Sequence, residues 1–171
     1  MAGYSQLSES AVRNFVSRFG QRVSSLIADS PHPPINVNTW GDGFFFGFNH
    51  VEHAGCFALD LRDLVVNTDW TQFELPQDLN IRIAVHAGPV YVTFDPVSRQ
   101  STFAGAHVVR AARIEPVTRR GEIFATEEFA ALSAAEEVTG FNCDFIGTTE
   151  LSKQYGSFRL YSLTRHRSPP G

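Results

Sequence analysis

An aspartate followed by a glycine, Asp42 and Gly43, separates two apolar runs and constrains the fold more than any other feature of the chain. Asp-Gly between apolar runs is the strongest short-range signal for a two-residue β-hairpin. We therefore expect residues 35–40 and 44–48 to form antiparallel strands with one carboxylate at their turn. Asp-Gly is also a common hairpin corner that binds nothing, so a metal ligand and a plain turn residue both remain open.

Apolar residues at helical spacing predict the elements around the hairpin. They recur every three or four positions over residues 8–28, with Ser8 placed to cap the helix start. The patterns predict further helices over residues 51–66 and 105–114 and after Thr126. They predict further strands over residues 81–86, 90–94, 121–125, 141–151 and 157–163. This order suits an α+β fold, in which an antiparallel sheet carries helices packed on it.

Length and charge limit what such a fold can be. A chain of 171 residues that is 43% hydrophobic can bury the core of one ordinary domain. We expect residues 1–163 to form that domain and residues 164–171 to be a polar tail. With a formal net charge of -4, the chain has no basic field to gather nucleic acid or coat a membrane. An anionic ligand must therefore be held by local arginines.

Cysteine usage and hydropathy indicate a compartment. Cys56 and Cys143 lie far apart without CxxC spacing, which predicts free thiols in a reducing environment. No stretch approaches the roughly eighteen apolar residues of a membrane span, and the N-terminus lacks a signal pattern. We expect a cytoplasmic protein.

Residues 103–115 predict a turn that leads into a short helix carrying Arg110 and Arg113. The guanidinium group matches phosphate geometry, so this helix is a candidate phosphate site. The carboxylate at the hairpin turn is the matching candidate for a metal ion.

Several segments, taken in order, resemble the catalytic domain of class III nucleotidyl cyclases. They are residues 38–43 (NTWGDG), 81–90 (IRIAVHAGPV) and 108–115 (VVRAARIE), the last followed by 121–124 (GEIF). Each is weak alone, but their order is specific, and the resemblance covers nearly the whole chain. It implies the ferredoxin-like class III cyclase fold. Within the family, residues 109–118 look most like small bacterial cyclases, including the pyrimidine cyclases of antiphage defence.

The resemblance implies conversion of a nucleoside triphosphate to a 3',5'-cyclic nucleotide and pyrophosphate, assisted by two divalent cations, Mg2+ or Mn2+. Asp42 matches one metal-binding aspartate. The second would fall immediately before Met1, so the first strand is expected to be missing from this chain. Either the sequence starts late or a metal ligand has been lost. Gly3, Tyr4 and Ser5 match the following turn and would offer backbone N–H groups to the triphosphate, or they simply cap the helix.

On the other side of the implied site, Arg113 matches the arginine that stabilises the transition state. Val109 stands where the family has an asparagine that orients the ribose. That role is missing, or Arg110 or His107 takes it. Lys153 matches the lysine that grips the terminal phosphates, although a solvated lysine is the plain alternative.

Two further positions match those that choose the base. Asn38 and Thr102 keep neither the lysine and aspartate used for adenine nor the glutamate and cysteine used for guanine. Their short neutral side chains favour a pyrimidine triphosphate, UTP or CTP, with loose specificity as the alternative. Arg113 has an alternative of its own, since it could form a surface ion pair with Glu115 or Glu122.

The resemblance places the metal aspartates on one subunit and the arginine helix on its partner. It therefore implies a two-fold homodimer with two sites across the interface. Residues 91–100 are a candidate interface arm or an ordinary hairpin. His50 and His53, three positions apart, could bind a metal, although lone exposed histidines are commoner.

Two functions remain open at this point. One is an active cyclase that makes a messenger in antiviral signalling. The other is a cyclase-like domain that binds a nucleotide or a partner without turnover, which is motivated by the missing aspartate and by Val109.

Overall fold

The structure is a computed structural model that describes residues 9–40, 43–96, 99–150 and 156–166. These ranges contain four α-helices and eight β-strands. In chain order they are α1 (Glu9–Asp29), β1 (Asn36–Trp40), β2 (Gly43–Gly47), α2 (Val51–Asn67), β3 (Ile83–Val85), β4 (Tyr91–Asp95), β5 (Gln100–Ala104), α3 (Ala106–Ile114), β6 (Ile123–Thr126), α4 (Glu127–Ala135), β7 (Phe141–Glu150) and β8 (Ser157–Arg165).

The hairpin predicted from Asp-Gly is present. β1 and β2 pair in antiparallel register, with Trp40 opposite Gly43. The turn residues Gly41 and Asp42 lie outside the described ranges. Phe44 and Phe46 lie on the same face of β2, because side chains alternate along a strand. Phe46 contacts Phe57 of α2 with ring centroids 5.1 Å apart. The apolar run after the turn therefore joins the hairpin to the helical layer.

The main sheet has the strand order β3–β6–β8–β7. β6, β8 and β7 pair in antiparallel fashion, as expected, but β3 and β6 are parallel, so the sheet is mixed. The reason is the long connection between β3 and β6, which includes α3 and allows the chain to cross over and return in the same direction. β5, which the sequence patterns did not predict, pairs with β4 in a separate hairpin.

Two clusters of buried side chains flank α2. On one side Phe57 packs with Phe19 of α1 and with Trp70, which is 1% exposed. On the other side Leu59 packs with Phe129 of α4 and the inner face of the sheet. The two clusters together account for the apolar pattern of α2, which packs against α1 and the β1–β2 hairpin through one cluster and against the main sheet through the other.

The end of β8 is tied to α2 by ion pairs. Arg165 contacts Asp63 at 2.8 Å and also contacts Asp60, so the last strand continues two residues past the expected domain end. Cys56 and Cys143 are free thiols. Burial raises the pKa of Cys143 to about 11. Within the described ranges, no helix has the length and apolarity that crossing a membrane requires.

Candidate functional site

The structure describes three of the residues that the sequence assigns to the site: Asn38, Thr102 and Arg113. The others lie outside the described ranges, and their predicted roles are not tested by the coordinates. They are Gly3, Tyr4, Ser5, Asp42 and Lys153.

Asn38 and Thr102, the two predicted base-contacting residues, lie in direct contact. Asn38 Nδ2 donates to Thr102 Oγ1 at 2.6 Å, although the residues are 64 positions apart in the chain. The contact forms because β5 lies against β1. Asn36, on the same face of β1 as Asn38, donates to the backbone carbonyl of Ser101 on β5 at 3.2 Å.

The hydrogen bonds of this pair determine what it can offer a ligand. Asn38 also donates to Asn36 Oδ1 at 3.3 Å, so both of its amide hydrogens are engaged and its carbonyl oxygen remains an acceptor. Thr102 accepts from Asn38 and can donate its own hydroxyl hydrogen. One acceptor beside one donor matches an edge of any of the four bases, so hydrogen bonding alone does not select among them.

Arg113 lies in the last turn of α3 and is half-buried. Val109, at the position where the resemblance expects asparagine, is 39% exposed. Both side chains that could replace that asparagine are engaged elsewhere. Arg110 pairs with Glu128 at 2.8 Å, and His107 contacts the ring of His86 at 2.8 Å. The structure therefore supplies no obvious substitute for the missing amide on this helix.

The two carboxylates proposed as surface partners of Arg113 contact other arginines. Glu115 accepts from Arg82 at 2.8 Å, and Glu122 lies 3.5 Å from Arg119. The first of these pairs joins the end of α3 to the loop before β3.

His86 has a buried imidazole side chain, and the sequence patterns did not single this residue out. Its side chain is 2% exposed, and its Nδ1 lies 2.8 Å from Thr126 Oγ1. Burial lowers the pKa of His86 to about 4, although the carboxylate of Glu128 acts in the opposite direction. The ring is therefore neutral at physiological pH. In the sequence, His86 and His107 stand 21 positions apart, and only the fold brings them together.

A cavity of about 760 Å³ lies between the β1–β2 hairpin and the main sheet. It is lined by residues 43–48 from β2 and the loop after it, by residues 81–90 around β3, and by His107 and Glu115. Among the described strands, β2 pairs only with β1, and β3 pairs only with β6. The backbone edges of β2 and β3 that border the cavity therefore have no strand partner within the described ranges.

The described side chains do not by themselves form the two-cation site that the resemblance implies. In the part of the chain that the structure describes, no three His, Cys, Asp or Glu side chains are grouped to hold a metal ion. The pair His50 and His53 does not supply one either. The His53 ring stacks on the His32 ring with centroids 3.8 Å apart and meets the His50 ring edge to face with centroids 4.8 Å apart.

Comparison with known proteins gives consistent matches. A family model described as the adenylate and guanylate cyclase catalytic domain matches residues 3–164. An adenylate cyclase of Neurospora crassa is 29% identical over 113 residues, which are 56% of this chain and 5% of that protein. The chain spans between 4% and 6% of the length of the three curated relatives that it matches.

Solved structures show the same fold. The guanylate cyclase domain of RhGC from Catenaria anguillulae, in complex with GTP, superposes with a TM-score of 0.75 at 18% identity, covering 95% of this chain and 88% of that one. The adenylyl cyclase CyaB from P. aeruginosa gives a TM-score of 0.74 at 19% identity, covering 97% of this chain and 88% of that one.

Proposed function

The chain belongs to the family of adenylate and guanylate cyclase catalytic domains, and we propose that it is a nucleotidyl cyclase. The 3'-hydroxyl oxygen of a nucleoside triphosphate attacks the α-phosphorus, a new P–O bond forms, and the bond to the outer two phosphates breaks. Pyrophosphate leaves and the hydroxyl proton passes to solvent. The observation that carries the proposal is the family match over almost the whole chain.

Arg113 is the proposed catalytic residue. Its planar guanidinium can donate several hydrogen bonds to the phosphoryl oxygens, where charge develops in the transition state. Gly3, Tyr4 and Ser5 are proposed to bind the triphosphate through backbone N–H groups, and Lys153 through its ammonium group. Asp42 is proposed to hold Mg2+ or Mn2+, which when bound would activate the hydroxyl and neutralise the leaving charge.

A second metal-binding carboxylate is part of this proposal, because the resemblance implies two. The cavity between β2 and β3 is bordered by strand edges that have no strand partner within the described ranges, so it leaves room for a further segment beside the hairpin.

The active unit is proposed to be a homodimer, in which Arg113 of one copy faces Asp42 of the other. The β4–β5 hairpin supports this because it presents large apolar side chains to solvent. Tyr91, Val92 and Phe94 are 75%, 70% and 61% exposed. Val92 and Phe94 lie on the same face of β4, and exposed apolar patches mark protein interfaces.

The preferred substrate is proposed to be UTP or CTP. The support is the hydrogen-bonded pair of Asn38 and Thr102, which is short, neutral and unlike the charged groups that the family uses for purines. A messenger role in antiviral defence is proposed from the likeness of residues 109–118 to the antiphage cyclases. A cytoplasmic location is proposed because nucleoside triphosphates are available there.

A second candidate function is nucleotide or partner binding without turnover. Val109 favours it, because an exposed aliphatic side chain stands where the family places a ribose-orienting amide. The loss of one aimed donor typically costs about 100-fold to 1,000-fold in rate.

The test is to incubate the protein, and a matched version extended upstream to include the preceding codons, with each of the four ribonucleoside triphosphates and Mn2+. Cyclic product and pyrophosphate are measured, with Arg113→Ala as the control. We expect a product from UTP or CTP that the control loses. Product from purines alone would refute the pyrimidine preference. Nucleotide binding without product from either version would refute the enzyme and support the binding domain.

Mixing two inactive variants tests the shared site. Asp42→Asn and Arg113→Ala would each be inactive alone. If each site takes one residue from each subunit, half of the dimers in a 1:1 mixture are mixed, and each has one intact site. The mixture should therefore recover about a quarter of the wild-type activity. No recovery, despite exchange of subunits, would contradict the interfacial site.

A further inference from the structure

Few side chains of α3 are buried. The helix has nine residues, of which only Val108 and Ile114 are buried. Gly105, at its N-cap, has φ of +132° and, being a glycine, has no side chain that could cap the helix. A helix of this length is marginal in water without support from its surroundings. Polar contacts of its side chains therefore add to the burial of Val108 and Ile114 in orienting α3.

Polar contacts anchor α3 to its surroundings along its length. At 2.8 Å each, they are His107 to His86, Arg110 to Glu128, and Glu115, just past the helix end, to Arg82. The first differs from the others because the side chain of His86 is 2% exposed, whereas both ion pairs are partly open to solvent. Partly exposed ion pairs contribute little to stability. His86 is therefore the firmest of these anchors.

The groups around His86 determine which of its nitrogens carries the proton. Its Nδ1 faces Thr126 Oγ1 at 2.8 Å and Glu128 Oε2 at 3.8 Å. A carboxylate favours an N–H on the nitrogen that faces it. A neutral imidazole has one N–H, so Nδ1 is the donor and Nε2 is the acceptor. His107 Nδ1, 2.8 Å from that Nε2, must then donate its own hydrogen.

Thr126 completes the same pattern. Its hydroxyl oxygen accepts from the backbone N–H of Phe129 at 3.2 Å, which caps α4, and its hydrogen is available to Glu128. Burial would raise the pKa of Glu128, but its own backbone N–H, His86, the Thr126 hydroxyl and Arg110 together lower it. Glu128 therefore stays ionised and keeps the Nδ1–H form of His86. The titratable and charged groups around His86 are Glu128 from α4 and His107 and Arg110 from α3.

Gly88 leaves the space that the His107 ring occupies. A Cβ at residue 88 would lie 2.0 Å from His107 Nδ1 and 2.4 Å from its Cγ. These atoms are close to the helix backbone, so the ring could not move away without a new rotamer or a shift of α3. The loop after β3 is therefore shaped to receive this ring.

We propose that His86 and His107 are positioning residues that fix the N-terminal turn of α3 against the end of β3, and so fix where Arg113 lies. His86 acts as a buried acceptor whose proton is held on the far side of the ring by Thr126 and Glu128. The effect on Arg113 rests on the proposed cyclase function, whereas the direction of the hydrogen bond does not.

The direction is tested by 15N NMR of the imidazole rings in the full chain at pH 8. We expect both His86 and His107 in the Nδ1–H form. An Nε2–H form of His86 at this pH would overturn the proposal, whether or not the protein has activity. This measurement therefore tests the positioning proposal even if the protein cyclises no nucleotide. The absence of a cyclic product would refute only the proposed function.

Two replacements of His86 separate positioning from packing. In His86→Gln the side-chain carbonyl can still accept from His107, whereas His86→Leu fills the space and accepts nothing. We expect His107 to keep its Nδ1–H form in the Gln variant and to lose it in the Leu variant. The Leu variant should also show kcat lower by about 10-fold to 100-fold, with KM nearly unchanged. Equal effects of Gln and Leu on kcat and on the His107 ring would overturn the proposal.

Gly88→Ala gives an independent check if the Leu variant does not fold. The added methyl group displaces the His107 ring but leaves His86, Thr126 and Glu128 in place. We expect loss of the Nδ1–H signal of His107 and a fall in kcat comparable to that of the Leu variant. An unchanged His107 signal together with unchanged kcat would overturn the proposal.

Discussion

Replacement of His86 by glutamine should change how the stability of the protein depends on pH. Burial lowers the pKa of His86 to about 4 in the folded protein, from an ordinary value of 6.5. Between these values the unfolded chain binds more protons than the folded one, so the free energy of unfolding falls as the pH falls. The loss begins as the pH drops through 6.5 and is complete below about 4.

The size of the effect follows from the two pKa values. At pH 7.5 the imidazole is neutral in both states and contributes nothing to the difference. At pH 5 the unfolded imidazole is almost fully protonated and the folded one is mostly neutral, which lowers the free energy of unfolding by about 2 kcal/mol. Glutamine does not titrate, so the variant should lack this part of the loss.

Urea unfolding followed by the fluorescence of buried Trp70 measures the effect at pH 7.5 and pH 5. Between pH 7.5 and pH 5, the free energy of unfolding of the wild type should fall by about 2 kcal/mol more than that of His86→Gln. His166→Gln, which removes an exposed histidine at the end of the described chain, is the control and should behave like the wild type. If the free energy of unfolding of His86→Gln falls as much as that of the wild type, His86 is not a buried neutral imidazole in the folded protein.

Other changes test the hydrophobic core, the hydrogen-bonded pair Asn38–Thr102 and the β4–β5 hairpin. Phe129→Ala, at a site 1% exposed, should lower the free energy of unfolding by about 3 to 5 kcal/mol, and a loss below 1 kcal/mol by urea titration would contradict the described packing. Asn38→Ala removes the acceptor beside Thr102 and should lower kcat/KM for the preferred nucleotide about tenfold, whereas an unchanged kcat/KM would argue against base contact. Phe94→Ser should shift the protein towards monomer in sedimentation, whereas Val16→Ser, at an apolar position 57% exposed on α1, should not.

Local signals were enough to predict most of the elements. The apolar spacing predicted a helix over residues 8–28, and α1 runs over Glu9–Asp29. Asp-Gly predicted the β1–β2 pairing, because a two-residue turn fixes the register of its strands. Thr126 was predicted to cap a helix, and it accepts from the backbone N–H of Phe129. In each case the element is determined by interactions between residues that are close to one another in the sequence.

Contacts between distant segments could not be predicted in the same way. The parallel pairing of β3 with β6 depends on how the chain crosses over, which periodicity does not encode. The contact between His86 and His107 depends on the position of α3 on the sheet. For the site, the family resemblance supplied the roles, and the structure then placed Asn38 beside Thr102 and Arg113 on α3. Those roles stay predictions, as do those of Asp42 and Lys153 outside the described ranges.

Helix α2 forms a common wall of both large buried clusters. Its residues Phe57, Leu61 and Val65 belong to the cluster with α1, and Val51, Ala58 and Leu59 belong to the cluster with the sheet. Neither half of the molecule can melt and leave the other intact, because the loss of either cluster strips one side of the same helix. Denaturation should therefore proceed as a single cooperative transition, with fluorescence and circular dichroism changing at the same denaturant concentration.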